Sequence, residues 1–237
     1  MERYLRNHDA ISLDEQEKLA SKRVLIVGCG GLGGMVIECL ARIGVGHMRV
    51  VDGDIFEKSN LNRQLLCSGM NLGRPKTLAA QQRVMAVNPL VEVDAVQADL
   101  TVENALELLE GCDAAVDCLD GIPARLILQQ AAKAAGIPMV HGAVAGWNGR
   151  VCVIQPGEDL LNLLYTDFGE TQGEEQQAGT LSFTAALTAS WQAAETVKLL
   201  LGKPGLQGEI LEVDLLQASV TKIKVAQRAT QVDTKCS

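Results

Sequence analysis

Residues 28–33 read Gly-Cys-Gly-Gly-Leu-Gly, between an apolar run (Arg23–Val27, RVLIV) and a helical pattern over 34–43. Gly28, Gly30 and Gly31 in such a stretch permit a tight turn and a close backbone approach to phosphate. The N-terminus of the helix that follows supplies free N–H groups and the positive end of a dipole. Asp52 closes the next apolar run, Met48–Val51. A carboxylate there can accept a hydrogen bond from a ribose hydroxyl. Strand, turn, helix and acid in this register point to a nucleotide without saying which one. A glycine turn that holds no ligand remains the plain alternative.

Two further strings bear on the chemistry. Residues 60–64 are Asn-Leu-Asn-Arg-Gln, and residues 73–76 are Gly-Arg-Pro-Lys. Hydride transfer needs no dense positive charge beside the phosphates. Attack on phosphorus does, because negative charge gathers on the equatorial oxygens. Arg63 and Lys76 follow the ribose-binding strand and are candidates to supply that charge; taken singly, each would read as a solvated surface residue. Pro75-Lys76 also suits the first turn of a helix. Residues 117–120, Asp-Cys-Leu-Asp, close the fourth strand of the series. Asp120 can hold Mg²⁺, which takes few protein oxygens and completes its shell with water and phosphate. The alternative is an N-cap for the helix starting near Pro123. Asp117 reads as structural. His8, His47 and His141 are scattered; His141 reads as a strand-end residue, and none is a convincing catalytic base.

These residues need a scaffold that ends several strands at one edge. Strands are expected at Arg23–Val27, Met48–Val51, Val91–Val96, Ala114–Asp117 and Met139–Gly142. Helices are expected over 34–43, Lys76–Val87, 101–110 and 123–135. This alternation predicts an α/β, Rossmann-like, mostly parallel sheet flanked by helices. After Gly146 the rhythm changes. Strands at Arg150–Ile154, Ile210–Val213 and Val220–Val225, with a long helix over 181–201, should be antiparallel and extend the sheet at one edge. The expected organisation is one domain over 1–225 with a helical arm at 1–21. A mobile crossover loop is expected over 157–180, rich in Gly, Glu and Gln, and a flexible tail over 226–237.

Composition agrees. Of 237 residues 47% are hydrophobic but only 3% aromatic, an aliphatic balance that suits a parallel sheet buried on both faces. A net charge of −8 argues against a nucleic-acid partner. Met1-Glu2-Arg3-Tyr4 is polar with no apolar run behind it, so no secretory leader is expected, and no stretch has the length of a membrane span. The seven Cys, at 29, 39, 67, 112, 118, 152 and 236, read mostly as small buried hydrophobes in a reducing cytoplasm, with Cys67 and Cys236 the more exposed.

The strings RYLRN (3–7), RVLIVGCGGLGG (23–34), VDGDIFEKSNLNRQ (51–64), GRPK (73–76), NP (88–89), DCLD (117–120) and GAVAGWNGRV (142–151), with a helix ending LLLG (199–202), resemble the ThiF/MoeB/HesA family. The likeness runs from about residue 3 to 225. It implies an enzyme that uses ATP and Mg²⁺ to adenylate the C-terminal carboxylate of a small ubiquitin-like carrier protein ending Gly-Gly. By the same resemblance Asp52, with Asp54 close to it, binds ribose. Asn60, Arg63 and Gln64 form the phosphate-contacting loop, Lys76 contacts the phosphates, and Asp120 associates with Mg²⁺. Arg6 would reach the neighbouring subunit's site, which implies a homodimer. Such a reaction needs no general base, since terminal carboxyls ionise near pH ~3.5.

The chain departs from the family pattern in its cysteines. Many members hold a structural Zn²⁺ with two Cys-x-x-Cys pairs, yet residues 155–180 contain no Cys and the tail has only Cys236. No structural zinc is expected, and a covalent sulfur step on this chain is not supported. Three other classes stay open: an NAD-dependent oxidoreductase, a tRNA-modifying dehydratase of the same superfamily, and a non-catalytic partner subunit. The first leaves 60–64 and 73–76 idle. The second sits poorly with the acidic balance and the match at 61–64. The third should have lost charged residues that this chain keeps.

Overall fold

The computed structural model describes residues 2–165 and 178–225. Eight strands form one sheet: β1 (Arg23–Val27), β2 (His47–Val51), β3 (Glu92–Val96), β4 (Ala114–Asp117), β5 (Met139–Ala145), β6 (Asn148–Ile154), β7 (Glu209–Asp214) and β8 (Ser219–Lys224). Their order is β3-β2-β1-β4-β5-β6-β7-β8. The first five are parallel, and β6, β7 and β8 continue antiparallel, as the sequence predicts. The order reverses between β1 and β4. In open α/β sheets the crevice at such a switch point, beyond the carboxyl ends of the strands, is where ligands bind.

Alternate residues of a strand point to opposite faces, and β1 shows it. Val24 and Ile26 join an aliphatic cluster with Val36, Ile37 and Leu40 of α2 (Gly31–Ile43), Ala80 and Val84 of α3 (Lys76–Val87), and Ala189 and Ala193 of a long helix over Ser182–Leu201. Leu25 and Val27 join the other cluster, with Leu108 and Leu109 of α4 (Ala105–Leu109), Leu128 and Ala132 of α5 (Ile122–Ala135) and Leu161 of α6 (Leu160–Leu164). The long helix is α7. Burial of aliphatic side chains on both faces, at about 25 cal/mol per Å², drives the assembly.

Some boundaries differ from the sequence expectations. The arm is not one helix. A 3₁₀ segment, Glu2–Asn7, breaks at Asp9, whose φ is +76°. Then α1 (Leu13–Ala20) starts on a capping box in which Ser12 and Glu15 satisfy each other's backbone N–H. Strand β5 runs to Ala145 rather than Gly142, because it pairs along its whole length with β6. Helix α6 lies inside the stretch expected to be a loop. The centre of that stretch, 166–177, and the tail 226–237 lie outside the described residues. Among the described residues no helix is long and apolar enough to cross a membrane.

Candidate functional site

The turn after β1 is set by close packing. Gly28 has φ +95°, and a Cβ on it would come within 2.5 Å of the Cys118 carbonyl oxygen; a Cβ on Gly33 would overlap the Gly28 carbonyl oxygen itself. Only glycine fits both places. Helix α2 starts at the N-cap Gly30 with no side chain capping it. Its first-turn N–H groups therefore face the crevice, ready for an anion.

Asp52, just past β2, closes the turn from the other side. One carboxylate oxygen accepts the Cys29 N–H at 2.7 Å, and the other accepts the Asp54 N–H at 2.9 Å. Burial pushes its pKa above the ordinary carboxylate value, against the opposing pull of those N–H groups and of Lys76. Lys76 is the first residue of α3, and Pro75 precedes it. Its ammonium is buried, 2.8 Å from Asp54 Oδ2 and 4.0 Å from Asp52 Oδ1.

Arg63 is half-buried. One guanidinium nitrogen donates to the Ser59 carbonyl (2.9 Å) and Asn62 Oδ1 (3.1 Å), and among the described residues the rest of its fork has no partner. Gln64 is buried beside Gly30, and its Oε1 has no hydrogen-bond donor among the described residues. Asp120 stands exposed in the loop after β4. It does not cap α5, because the N-cap is Gly121 and no side chain caps that helix. No described residue bonds its carboxylate.

The fold brings most of the candidates into one place. Gly28, Gly30, Gly31, Asp52, Asp54, Arg63, Gln64, Lys76 and Asp120 all line a single cleft of about 550 Å³ at the β1/β4 switch point. Two candidates lie elsewhere. Asn60 is buried beneath the loop, where its Oδ1 accepts the Glu57 N–H at 2.9 Å and shapes the 3₁₀ turn that carries Arg63. Arg6 is exposed at the other end of α2. Its neighbour Tyr4 sits against Gly44, the C-cap of α2, and accepts from Asn88 Nδ2 at 2.8 Å. A helix of this length puts about 20 Å between Gly44 and the cleft.

The donor set suits nucleotide and Mg²⁺. An uncapped helix start, a buried amide oxygen without a donor and two cations fit phosphates and a nucleoside. The exposed Asp120 carboxylate, which no described residue bonds, fits Mg²⁺, which keeps most of its shell as water and phosphate. Among the described residues no group of three or more His, Cys, Asp or Glu is placed to hold a metal ion.

Sequence reading missed three features. Asp99 lines the cleft beyond β3, and a Cβ on Gly53 would overlap its carboxylate; an acid in a loop after a strand carries no distinct signal. His141 is not at a strand end. It lies inside β5, fully buried, with Nδ1 2.7 Å from Asp117 Oδ2. Burial lowers its pKa despite Asp117, which favours the neutral imidazole. A second cavity, of about 400 Å³, shares Val144 with the cleft and is lined by Arg125, Asn148, Arg150, Tyr165 and Glu212.

Comparison with known proteins agrees with this geometry. A model of the ThiF family matches residues 3–236. A sulfur carrier protein adenylyltransferase of Thermus thermophilus is 40% identical over 220 residues, covering 89% of this chain and 81% of that protein. A SAMP-activating enzyme E1 of Haloferax volcanii is 35% identical over 221 residues, covering 91% and 82%. The crystal structure of PaaA superposes with a TM-score of 0.78 over 94% of this chain and 82% of that one, at 23% identity, a likeness of fold alone.

Proposed function

The chain belongs to the ThiF family, and on that premise we propose that it adenylates the C-terminal carboxylate of a small ubiquitin-like sulfur carrier ending Gly-Gly. A carboxylate oxygen attacks the α-phosphorus of ATP, the bond to the bridging oxygen breaks, and pyrophosphate leaves. The observation that carries the reading is the shared cleft: phosphate-type N–H groups, a strand-end acid, two cations and a free carboxylate line one wall. A hydride-transfer enzyme would have no use for the buried Lys76 and the half-free Arg63 fork.

In this reading the glycine turn and the start of α2 receive phosphate oxygens, and Asp52 receives a ribose hydroxyl. Gln64 offers its unpaired Oε1 to a nucleotide donor. Lys76 and Arg63 stabilise charge that builds during attack; preorganised groups of this kind supply a large share of a barrier reduction. Asp120 would hold Mg²⁺, which when bound neutralises charge on the departing pyrophosphate. The second cavity shares Val144 with the cleft, and its volume suits an extended Gly-Gly tail. The enzyme acts as a homodimer in the cytoplasm, with Arg6 completing the partner's site and without structural zinc.

The test is ATP–[³²P]pyrophosphate exchange. Exchange is expected only with a Gly-Gly-terminated carrier. Exchange with free amino acids and with no carrier would overturn the assignment. Asp120→Ala should keep its fold and lose Mg²⁺-dependent exchange. Elemental analysis should find no stoichiometric zinc; one zinc per chain would overturn this part of the proposal.

A further inference from the structure

A closed ring of hydrogen bonds surrounds the peptide next to Asp120. Asp117 Oδ1 accepts the Leu119 N–H at 3.0 Å. The Leu119 carbonyl accepts Arg125 Nε at 3.1 Å and Nη2 at 2.6 Å. Arg125 Nη1 donates to the Tyr165 hydroxyl at 3.0 Å. Tyr165 Oη is 3.2 Å from His141 Nε2, and His141 Nδ1 is 2.7 Å from Asp117 Oδ2.

Donor chemistry sets the direction around the ring. A guanidinium only donates, so the Tyr165 oxygen accepts from Arg125, and with the Tyr165 O–H directed to His141 Nε2 the ring runs one way. That nitrogen is then the unprotonated one, and Nδ1–H donates to Asp117. A neutral imidazole is what burial favours here. The ring thus has a permanent cation at one end and a carboxylate at the other. Both ends grip Leu119, one through its N–H and one through its carbonyl.

Arg125 sits deep in the molecule. It is 1% exposed, among the largest fully buried side chains in the described chain, and burying a charge costs several kcal/mol before its partners repay it. It is also the fourth residue of α5, and a cation near a helix N-terminus opposes the macrodipole. What it contacts is the backbone that aims Asp120 into the cleft. We infer that Arg125 is a positioning residue for Asp120, held in that role by Tyr165 and His141.

The inference rests on the reading above for what Asp120 does, while the ring itself stands on the geometry. Tyr165→Phe removes the hydroxyl's hydrogen bonds to Arg125 and His141 and keeps the aromatic ring's packing. Arg125→Lys keeps the charge and loses the fork that spans the Leu119 carbonyl and Tyr165. Four quantities are measured: kcat and KM in carrier-dependent pyrophosphate exchange, the melting temperature, and hydrogen exchange of the Leu119 amide in the free protein. For Tyr165→Phe, kcat should fall about tenfold while KM for ATP and carrier stays within about twofold, and Leu119 should exchange about tenfold faster. For Arg125→Lys, kcat should fall further. A folded Tyr165→Phe with wild-type kcat, or with unaltered Leu119 exchange, overturns the inference and leaves Arg125 an anchor of α5. That variant decides the matter even where Arg125→Lys does not fold. Wild-type protein inactive with every carrier would instead count against the proposed function, and the exchange of the Leu119 amide would still judge the ring.

Discussion

The Lys76 ammonium and the Asp54 carboxylate are paired at 2.8 Å at the mouth of the cleft, with Lys76 buried and Asp54 largely exposed. Solvent on the Asp54 side screens that pair, so it adds little to stability. Its consequence is positional: the pair holds a desolvated cation in the cleft that the glycine turn also lines.

Lys76→Ala should therefore cost activity far more than fold. Loss of one preorganised charge at a reacting phosphorus is worth about 10²-fold in kcat or more. Pyrophosphate exchange should fall by about that factor while the circular dichroism spectrum stays unchanged. Exchange within threefold of wild type would reduce Lys76 to a structural partner of Asp54.

Substitution should be intolerable at Gly33, in the glycine turn, and harmless at Gly69, in the loop before α3. A methyl at Gly33 overlaps the Gly28 carbonyl oxygen, and neither backbone can give way without moving α2 off β1. Gly33→Ala should lose about 3 kcal/mol or more in urea unfolding. Gly69 has nothing within 4 Å of its would-be Cβ. Gly69→Ala should stay within about 0.5 kcal/mol. Equal effects at both positions would contradict the packing described here.

The parts of the fold and site that were legible in the sequence are those encoded locally. Arg23–Val27, the glycine turn and Asp52 lie within 30 residues of one another, and their register alone predicts a phosphate-binding βαβ unit. Lys76 was legible because a proline marks the helix start in front of it. Tertiary pairings were not legible. Past Gly142 the expected strand stops, since Ala143 and Ala145 are weak strand formers. Only its pairing with β6 carries β5 on to Ala145, and that puts His141 inside the strand. Arg125 gave no signal because its Tyr165 partner is 40 positions away. Asn60 shows a different limit, for an asparagine can contact a ligand or cap a turn, and its type does not distinguish them.

Thiol chemistry follows from burial. Cys29, Cys112, Cys118 and Cys152 are buried, and desolvation raises the pKa of each, that of Cys152 to about 12. A raised folded pKa favours the neutral thiol. Cys152 thus contributes stability that is fully present below pH 9 and lost as pH climbs from 9 toward about 12. Native protein treated with iodoacetamide at pH 8 should show no label on these four by peptide mass spectrometry. In alkaline unfolding, Cys152→Ala should lose stability less steeply than wild type between pH 9 and 12. Rapid native labelling of Cys152 would contradict the burial.

The last prediction concerns Arg6 and the assembly. Tyr4 is fastened to Asn88 and Gly44, and Arg3 donates to the Val87 carbonyl (3.3 Å) and the Asn88 side chain. These contacts tie the arm to the far end of α2, about 20 Å from the cleft, a gap that one side chain cannot span. Arg6 is exposed there and bonds no described residue. Either it is a solvated charge or it serves a second copy of the chain, where its planar fork could bridge phosphate oxygens. Mixed subunits separate the two. With Arg6 acting in trans, Arg6→Ala and Lys76→Ala are each nearly inactive as homodimers. In a heterodimer of the two, one site carries both defects and the other carries neither. Co-refolding the inactive variants should therefore restore a fraction of wild-type exchange. Full activity of Arg6→Ala alone would make it a solvated charge. Two inactive variants whose heterodimer forms and stays inactive would show that Arg6 does not complete a partner's site.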